Sequence, residues 1–125
     1  MTAPSIAEIE ARLARIEVRL AELPAVLPIG PLRRTIDATA DEFGLSSADL
    51  VGEGQTRPVV AARQAAALVM RRVAGASLPR IGRFLARDHS TISHAVGRAA
   101  ARERLDPDYA ARIARIATVV TGETR

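Results

Sequence analysis

Residues 77–95 read Ser-Leu-Pro-Arg-Ile-Gly-Arg-Phe-Leu-Ala-Arg-Asp-His-Ser-Thr-Ile-Ser-His-Ala, and this stretch decides the fold. Its pattern predicts two short helices joined by a tight turn. Ser77 is a capping residue, and Pro79 falls in a first turn, where amide donors lack intrahelical partners. Leu78, Ile81 and Leu85 recur at helical spacing and give the first helix one apolar stripe. Asp88 is the next capping residue, and Ile92, Val96 and Ala99 form the inward stripe of the second helix. Relative to that stripe Ser90, His94, Gly97 and Arg98 face outward, with His89 and Thr91 in the open first turn. Two helices, a short turn and a polar, basic outer face make a helix-turn-helix.

Composition agrees with an all-α chain. Apolar residues make up 48% and aromatics 2%, so the core must be built from Ala, Leu, Ile and Val. Such side chains suit closely packed helices and suit a sheet poorly. The 125 residues predict one domain with an appendage, divided into 1–28 and 29–125. The absence of cysteine excludes a disulfide framework and a thiolate metal site, and points to a reducing cytoplasm. No apolar stretch approaches the roughly 20 residues of a membrane span. The N-terminal residues lack the basic region of a signal peptide.

All 18 basic residues are arginine. Genome base composition accounts for part of this, because Ala, Arg, Gly and Pro have GC-rich codons; position carries the rest of the information. Residues 1–28 have a net charge of −1 and residues 29–51 of −2, while residues 105–125 balance. Residues 52–104 hold 10 Arg against 3 acids, a net of +7. The excess lies on the segment that contains the helix-turn-helix, as a phosphate-binding surface requires. A solvated charge run would more usually mix signs.

The N-terminal segment is a helix of its own. Ser5 and Glu8 form a capping box. Ile6, Ile9, Leu13, Ile16, Leu20 and Leu23 then follow at alternating spacings of 3 and 4, a coiled-coil-like heptad seam ended by Pro24 and Pro28. Arg12 at g and Glu17 at the following e place opposite charges across a parallel pair, which favours a homodimer over packing on the chain's own domain. Punctuation predicts further helices from about Leu32 to Phe43, Ala48 to Val51, and Pro58 to near Gly75. After the helix-turn-helix, Asp106-Pro107 opens a closing helix carrying Tyr109, Ile113, Ile116 and Val120.

The run Arg87-Asp88-His89-Ser90-Thr91-Ile92-Ser93-His94-Ala95 resembles the signature of the C-terminal DNA-binding domain, domain IV, of the bacterial replication initiator DnaA. The similarity continues through Ser77-Leu78-Pro79, Ile81-Gly82 and Ala62-Arg63-Gln64. It extends to Ala40-Asp41-Glu42-Phe43-Gly44-Leu45 and Ala48-Asp49-Leu50, covering roughly residues 33–104. This resemblance implies that Asp88, His89, Ser90 and Thr91 contact bases, with His94 one turn further on. Asp88 would accept from a cytosine amino group and His89 would pack on a thymine methyl. It also implies that Arg63 and Gln64 approach DNA, and Leu78 and Pro79 lie where a helix start can meet phosphate. Arg57, Arg71, Arg72, Arg87 and Arg98 are expected backbone contacts. Taken singly, each is more often a surface solubiliser, and Asp88 is a helix cap whether or not it reads a base. Two features depart from the family. A Gly-Gly pair before the signature is replaced by Ala86 in a turn one residue shorter, and the loop before the long helix keeps only Gln55 and Arg57 with Glu53.

Catalysis is not expected. His89 and His94 stand about 140° apart around a helix and cannot grip one metal ion. Val51-Gly52-Glu53-Gly54 lacks the Lys-Ser/Thr of a phosphate loop, so no cofactor is expected. Nor do 125 residues have room for the initiator's nucleotide-hydrolysing domain. The resemblance implies a stand-alone relative of the kind found in phages and gene-transfer agents. Such a protein would be a cytoplasmic, nucleoid-associated transcription regulator that binds double-stranded DNA at a DnaA-box-like site, with RNA polymerase or another regulator as partner. The alternative is an adaptor or replication-associated protein acting mainly through its N-terminal helix.

Overall fold

A computed structural model describes residues 5–11 and 30–122. The helices are α1 (described over residues 6–11), α2 (Pro31–Phe43), α3 (Ser47–Val51), α4 (Arg57–Arg72), α5 (Leu78–Leu85), α6 (His89–Leu105) and α7 (Pro107–Thr121). The described residues contain no strand. Contacts divide the chain into residues 1–30 and 31–125.

The second unit is organised around α4. Its run of alanines presents no bulky face, so neighbours approach from every side and the helix is buried almost all round. On one side Ala62, Ala67 and Met70 join Leu32, Ile36, Leu50, Ile81, Leu85 and Ile92 in one core cluster. On another Ala61, Ala65, Leu68 and Val69 join Ala99, Tyr109, Ile113, Ile116 and Val120. The helix-turn-helix and the closing helix therefore share α4 as their common support. Each of the larger aliphatic side chains contributes about 1.5–3 kcal/mol relative to exposure. Tyr109 is buried with its hydroxyl donating to the Ala61 carbonyl at 2.7 Å, and burial pushes its pKa up to about 12.

Helix ends follow the local chemistry. α2 stops where Gly44 turns left-handed (φ 67°) and the Leu45 amide donates back to the Ala40 carbonyl at 2.8 Å. Ser46 caps α3 in a reciprocal box with Asp49. α4 begins at Arg57, with Pro58 in the first turn, and ends at Arg72, three residues before Gly75. In the N-terminal unit the Ser5–Glu8 capping box is formed: the Ser5 amide donates to Glu8 Oε2 at 3.3 Å and the Glu8 amide to Ser5 Oγ at 3.2 Å. Ile6 and Ile9 are 76% and 45% exposed. The rest of the heptad seam, Leu13, Ile16, Leu20 and Leu23, lies outside the described residues, as do Arg12 and Glu17.

Candidate nucleic-acid interface

The turn between α5 and α6 sets the interface. α5 opens on Ser77, whose hydroxyl accepts from the Arg80 amide at 3.3 Å. Pro79 has no amide hydrogen, so the Ser77 and Leu78 amides are the donors left over at this helix start. At the other end Ala86 takes the left-handed conformation (φ 54°, ψ 45°), and the Ala86 and Arg87 amides both donate to the Gly82 carbonyl. Gly82 is required by the close approach of the turn: a Cβ there would collide with the Arg87 carbonyl. The shortened turn thus reverses the chain through a single left-handed residue. Alanine bears the strain that glycine would avoid.

Asp88 then starts α6. Its Oδ1 accepts from the Thr91 amide at 2.7 Å and from the Ser90 hydroxyl at 3.0 Å. These bonds favour the ionised form and hold its pKa below the ordinary aspartate range. Around this cap Asp88, His89, Ser90 and Thr91 are exposed, and His94 is exposed one turn later. Ile92, Ala95 and Ala99 face the core, with Val96 partly buried beside them. The polar first turn is held by its buried stripe with its outer face free.

Two shallow hollows adjoin it and share Gln55, Val60 and Gln64. One, of about 130 Å3, is lined by these residues with Arg63, Arg87, Thr91, Ile92, His94 and Ala95. The other, of about 330 Å3, also receives Arg57, Ala61, Arg98 and Arg102. The fold therefore brings Arg57, Gln64, Arg98, Thr91 and His94 onto one continuous surface. Arg57 and Arg98 are exposed and make no hydrogen bond or ion pair among the described residues.

The other expected backbone contacts are placed differently. Arg63 is 6% exposed. Its Nε donates to the Leu50 carbonyl at 2.8 Å, and Nη2 reaches the carbonyls of Asp49, Gly52 and Gly54 at 3.1–3.2 Å. Burial, with Arg87 nearby, pulls its pKa below the usual arginine range. Expected to approach DNA, Arg63 instead lies with its guanidinium on the carbonyls of the loop, which it holds from inside. Arg87 is similarly committed, through Nη1 to the Leu85 and Ala86 carbonyls and through Nη2 to the Gly52 carbonyl. It joins the helix-turn-helix to the same loop. Arg72 forms a two-pronged ion pair with Glu103 at 2.8 and 3.0 Å, which raises its pKa, lowers that of Glu103 and neutralises its charge locally. Arg71 stays exposed but donates to the Ala76 carbonyl at 2.9 Å.

The family model for the bacterial dnaA protein helix-turn-helix matches residues 33–98, more than half of the chain. The chain belongs to that family. Its relatives include the chromosomal replication initiator protein DnaA of Deinococcus radiodurans, 34% identical over 84 residues that make up 67% of this chain and 18% of that protein. DnaA of Caulobacter vibrioides is 46% identical over 74 residues, 55% of this chain and 15% of the relative. DnaA of Caulobacter sp. strain K31 is 36% identical over 121 residues, 82% and 25%. The chain thus spans a quarter or less of the length of these DnaA proteins.

The DnaA helix-turn-helix match runs from α2 to the middle of α6 and includes the turn between α5 and α6. Three further exposed arginines were not singled out from sequence. Arg80 and Arg83 are exposed on α5, unpaired among the described residues, and lie off its 78/81/85 stripe, a signal the spacing already contained. Arg102 lies beyond the matched residues, four positions after Arg98. Among the described residues no helix is long and apolar enough to cross a membrane.

Proposed function

We propose that this chain is a sequence-specific double-stranded DNA-binding protein that regulates transcription from sites resembling the DnaA box. The supporting observation is the continuity of the exposed first turn of α6 with the unpartnered cations Arg57 and Arg98. Phosphate contacts give affinity and register, whereas side chains at base edges give preference. In this reading His89, Ser90 and Thr91 read the major groove, and Asp88 offers an acceptor to a cytosine amino group while still capping the helix. Gln64, His94 and the Leu78–Pro79 helix start flank the reader. The chain supplies recognition and no nucleotide-driven step.

In this reading the N-terminal helix pairs two readers in parallel, or recruits a partner such as RNA polymerase or another regulator. Ile6 and Ile9, the described part of the seam, are exposed. Two tethered readers gain avidity on paired sites and fix their spacing. Replacing Leu13 and Ile16 by Glu is expected to give a folded monomer that binds single sites unchanged and paired sites more weakly. Light scattering showing a monomer for the intact chain well above micromolar concentration contradicts this dimer.

Selection of binding sites from a random duplex pool by the purified chain tests the central reading. An enriched motif, bound in a salt-dependent way, is the expected result. Equal affinity for all duplexes across a salt titration overturns it and favours the adaptor, in which the N-terminal helix is the main surface.

A further inference from the structure

We propose that the cleft bounded by Arg57, Arg98 and Arg102 seats one backbone phosphodiester of the duplex, outside the base pairs that the first turn of α6 reads. The inference rests on the DNA-binding reading and adds to it a discrete anchor. The cleft is open, about 330 Å3, and lined by Gln55, Arg57, Val60, Ala61, Gln64, Arg98 and Arg102. Three arginines and two glutamines line it, and no acid does. Arg57 and Arg98 carry no counter-charge of their own, and an anion between them relieves their mutual repulsion.

The supports are rigid. Arg57 is the first residue of α4, while Arg98 and Arg102 stand one turn apart on α6. Arg57 and Arg98 have no partner among the described residues. The Arg102 guanidinium lies 4.4 Å over the Tyr109 ring, which orients its plane, and its Nε stands 3.5 Å from Asp106. That surface pair is a weak one, and the two terminal amino groups of Arg102 remain for an incoming oxygen.

Position along α6 selects phosphate rather than base. Ser90, His94, Arg98 and Arg102 recur every four residues, so each step rises about 6 Å and turns about 40°. Arg102 is therefore roughly 18 Å along the helix from Ser90, more than the width of about 12 Å of a major groove. When Ser90 touches a base edge, Arg98 is at the groove's margin, about 12 Å along, and Arg102 is at the level of the flanking strand. The cationic track also has an end. The next hollow shares Arg57, Ala61 and Arg102 but contains Asp106 and Asp108, which disfavour a second phosphate.

The test is a salt titration of binding to two duplexes carrying the same read site, one trimmed to it and one extended on both sides. Arg102→Gln is expected to lower the slope of log affinity against log salt by about 0.9 on the long duplex only. Raising salt from 50 to 200 mM then weakens the wild type about three- to fourfold more than the variant, by that slope. Arg102→Lys restores the slope, and the selected sequence is the same for all three proteins. Ethylation of single phosphates supplies a second readout. One phosphate outside the read base pairs should, when ethylated, hinder the wild type more than Arg102→Gln.

Equal slopes on the long duplex, equal loss on both duplexes, or an unchanged ethylation pattern each overturn the cleft. A wild type without sequence preference, whose slope still falls on substitution, overturns the reading of specificity and leaves the cleft standing. A wild type that binds no duplex overturns both.

Discussion

Arg57 and Arg63 stand six residues apart on α4 and flank the same loop, yet one faces solvent without a partner and the other lies inside on four carbonyls. Arg98 and Arg87 repeat the contrast on the helix-turn-helix side of that loop. The inner pair satisfies the main chain of residues 49–54 and 85–86, where unsatisfied carbonyls would be costly. The outer pair leaves its donors to water and to whatever anion arrives. Arginine count alone therefore overstates the binding surface, and the distinction is set by burial.

Removal of Arg63 should have the largest effect. Arg63→Ala strips the buried Leu50 carbonyl of its donor and removes the further bonds to Asp49, Gly52 and Gly54, so a loss of about 1–3 kcal/mol is expected in urea unfolding. Retained stability together with uniformly weaker DNA binding would instead make Arg63 a phosphate ligand and break the comparison.

Outer residues should act on binding and not on folding. His89→Ala or Thr91→Ala is expected to reduce discrimination between cognate and altered sites by roughly 1–3 kcal/mol per lost base contact. Arg57→Ala and Arg98→Ala should weaken binding alike across sequences on duplexes that extend past the read site, and flatten the salt slope by at most about one phosphate, the one they share. Competition titrations on matched and mismatched sites separate the two classes, and identical behaviour would erase the division between readers and anchors.

The turn that separates inner from outer residues gives a smaller, opposite effect. Ala86→Gly relieves a left-handed alanine and should stabilise the domain by about 1 kcal/mol. A thermal midpoint that falls on this substitution would show that the turn is not strained as its backbone angle indicates.

Asp88 offers the finest test. Its pKa is depressed, first by the Thr91 amide, so the cap adds stability above the unfolded value of about 3.9 and loses it as pH falls through the folded one. The gap in thermal midpoint between wild type and Asp88→Asn should narrow between pH 7 and pH 3. A gap independent of pH would mean that the carboxylate charge takes no part in the cap.

Much of this was legible without tertiary information. Ser77, Asp88 and Asp106 marked helix starts because short polar side chains satisfy orphan amides locally. Tyr109, Ile113, Ile116 and Val120 share one face at helical spacing, and all four are buried. The exposed row from Asp88 to His94 followed from the buried stripe beneath it. For α4 such a reading failed, because alanines on every side leave no polar face against which to place Arg63. Its burial could have been inferred only from a helix too apolar all round to have a wet side.

Sequence by itself determined the helices, their caps, the helix-turn-helix and the concentration of arginine on residues 52–104, because these depend on neighbours within a few positions. Only the tertiary structure decided which arginines face outward. That choice depends on carbonyls, acids and rings brought from distant segments: Leu50 and Gly52 for Arg63 and Arg87, Glu103 for Arg72, and the α4 start for the cleft beside Arg98 and Arg102. A guanidinium binds whichever acceptor folding places within reach, and spacing along the chain does not encode that distance.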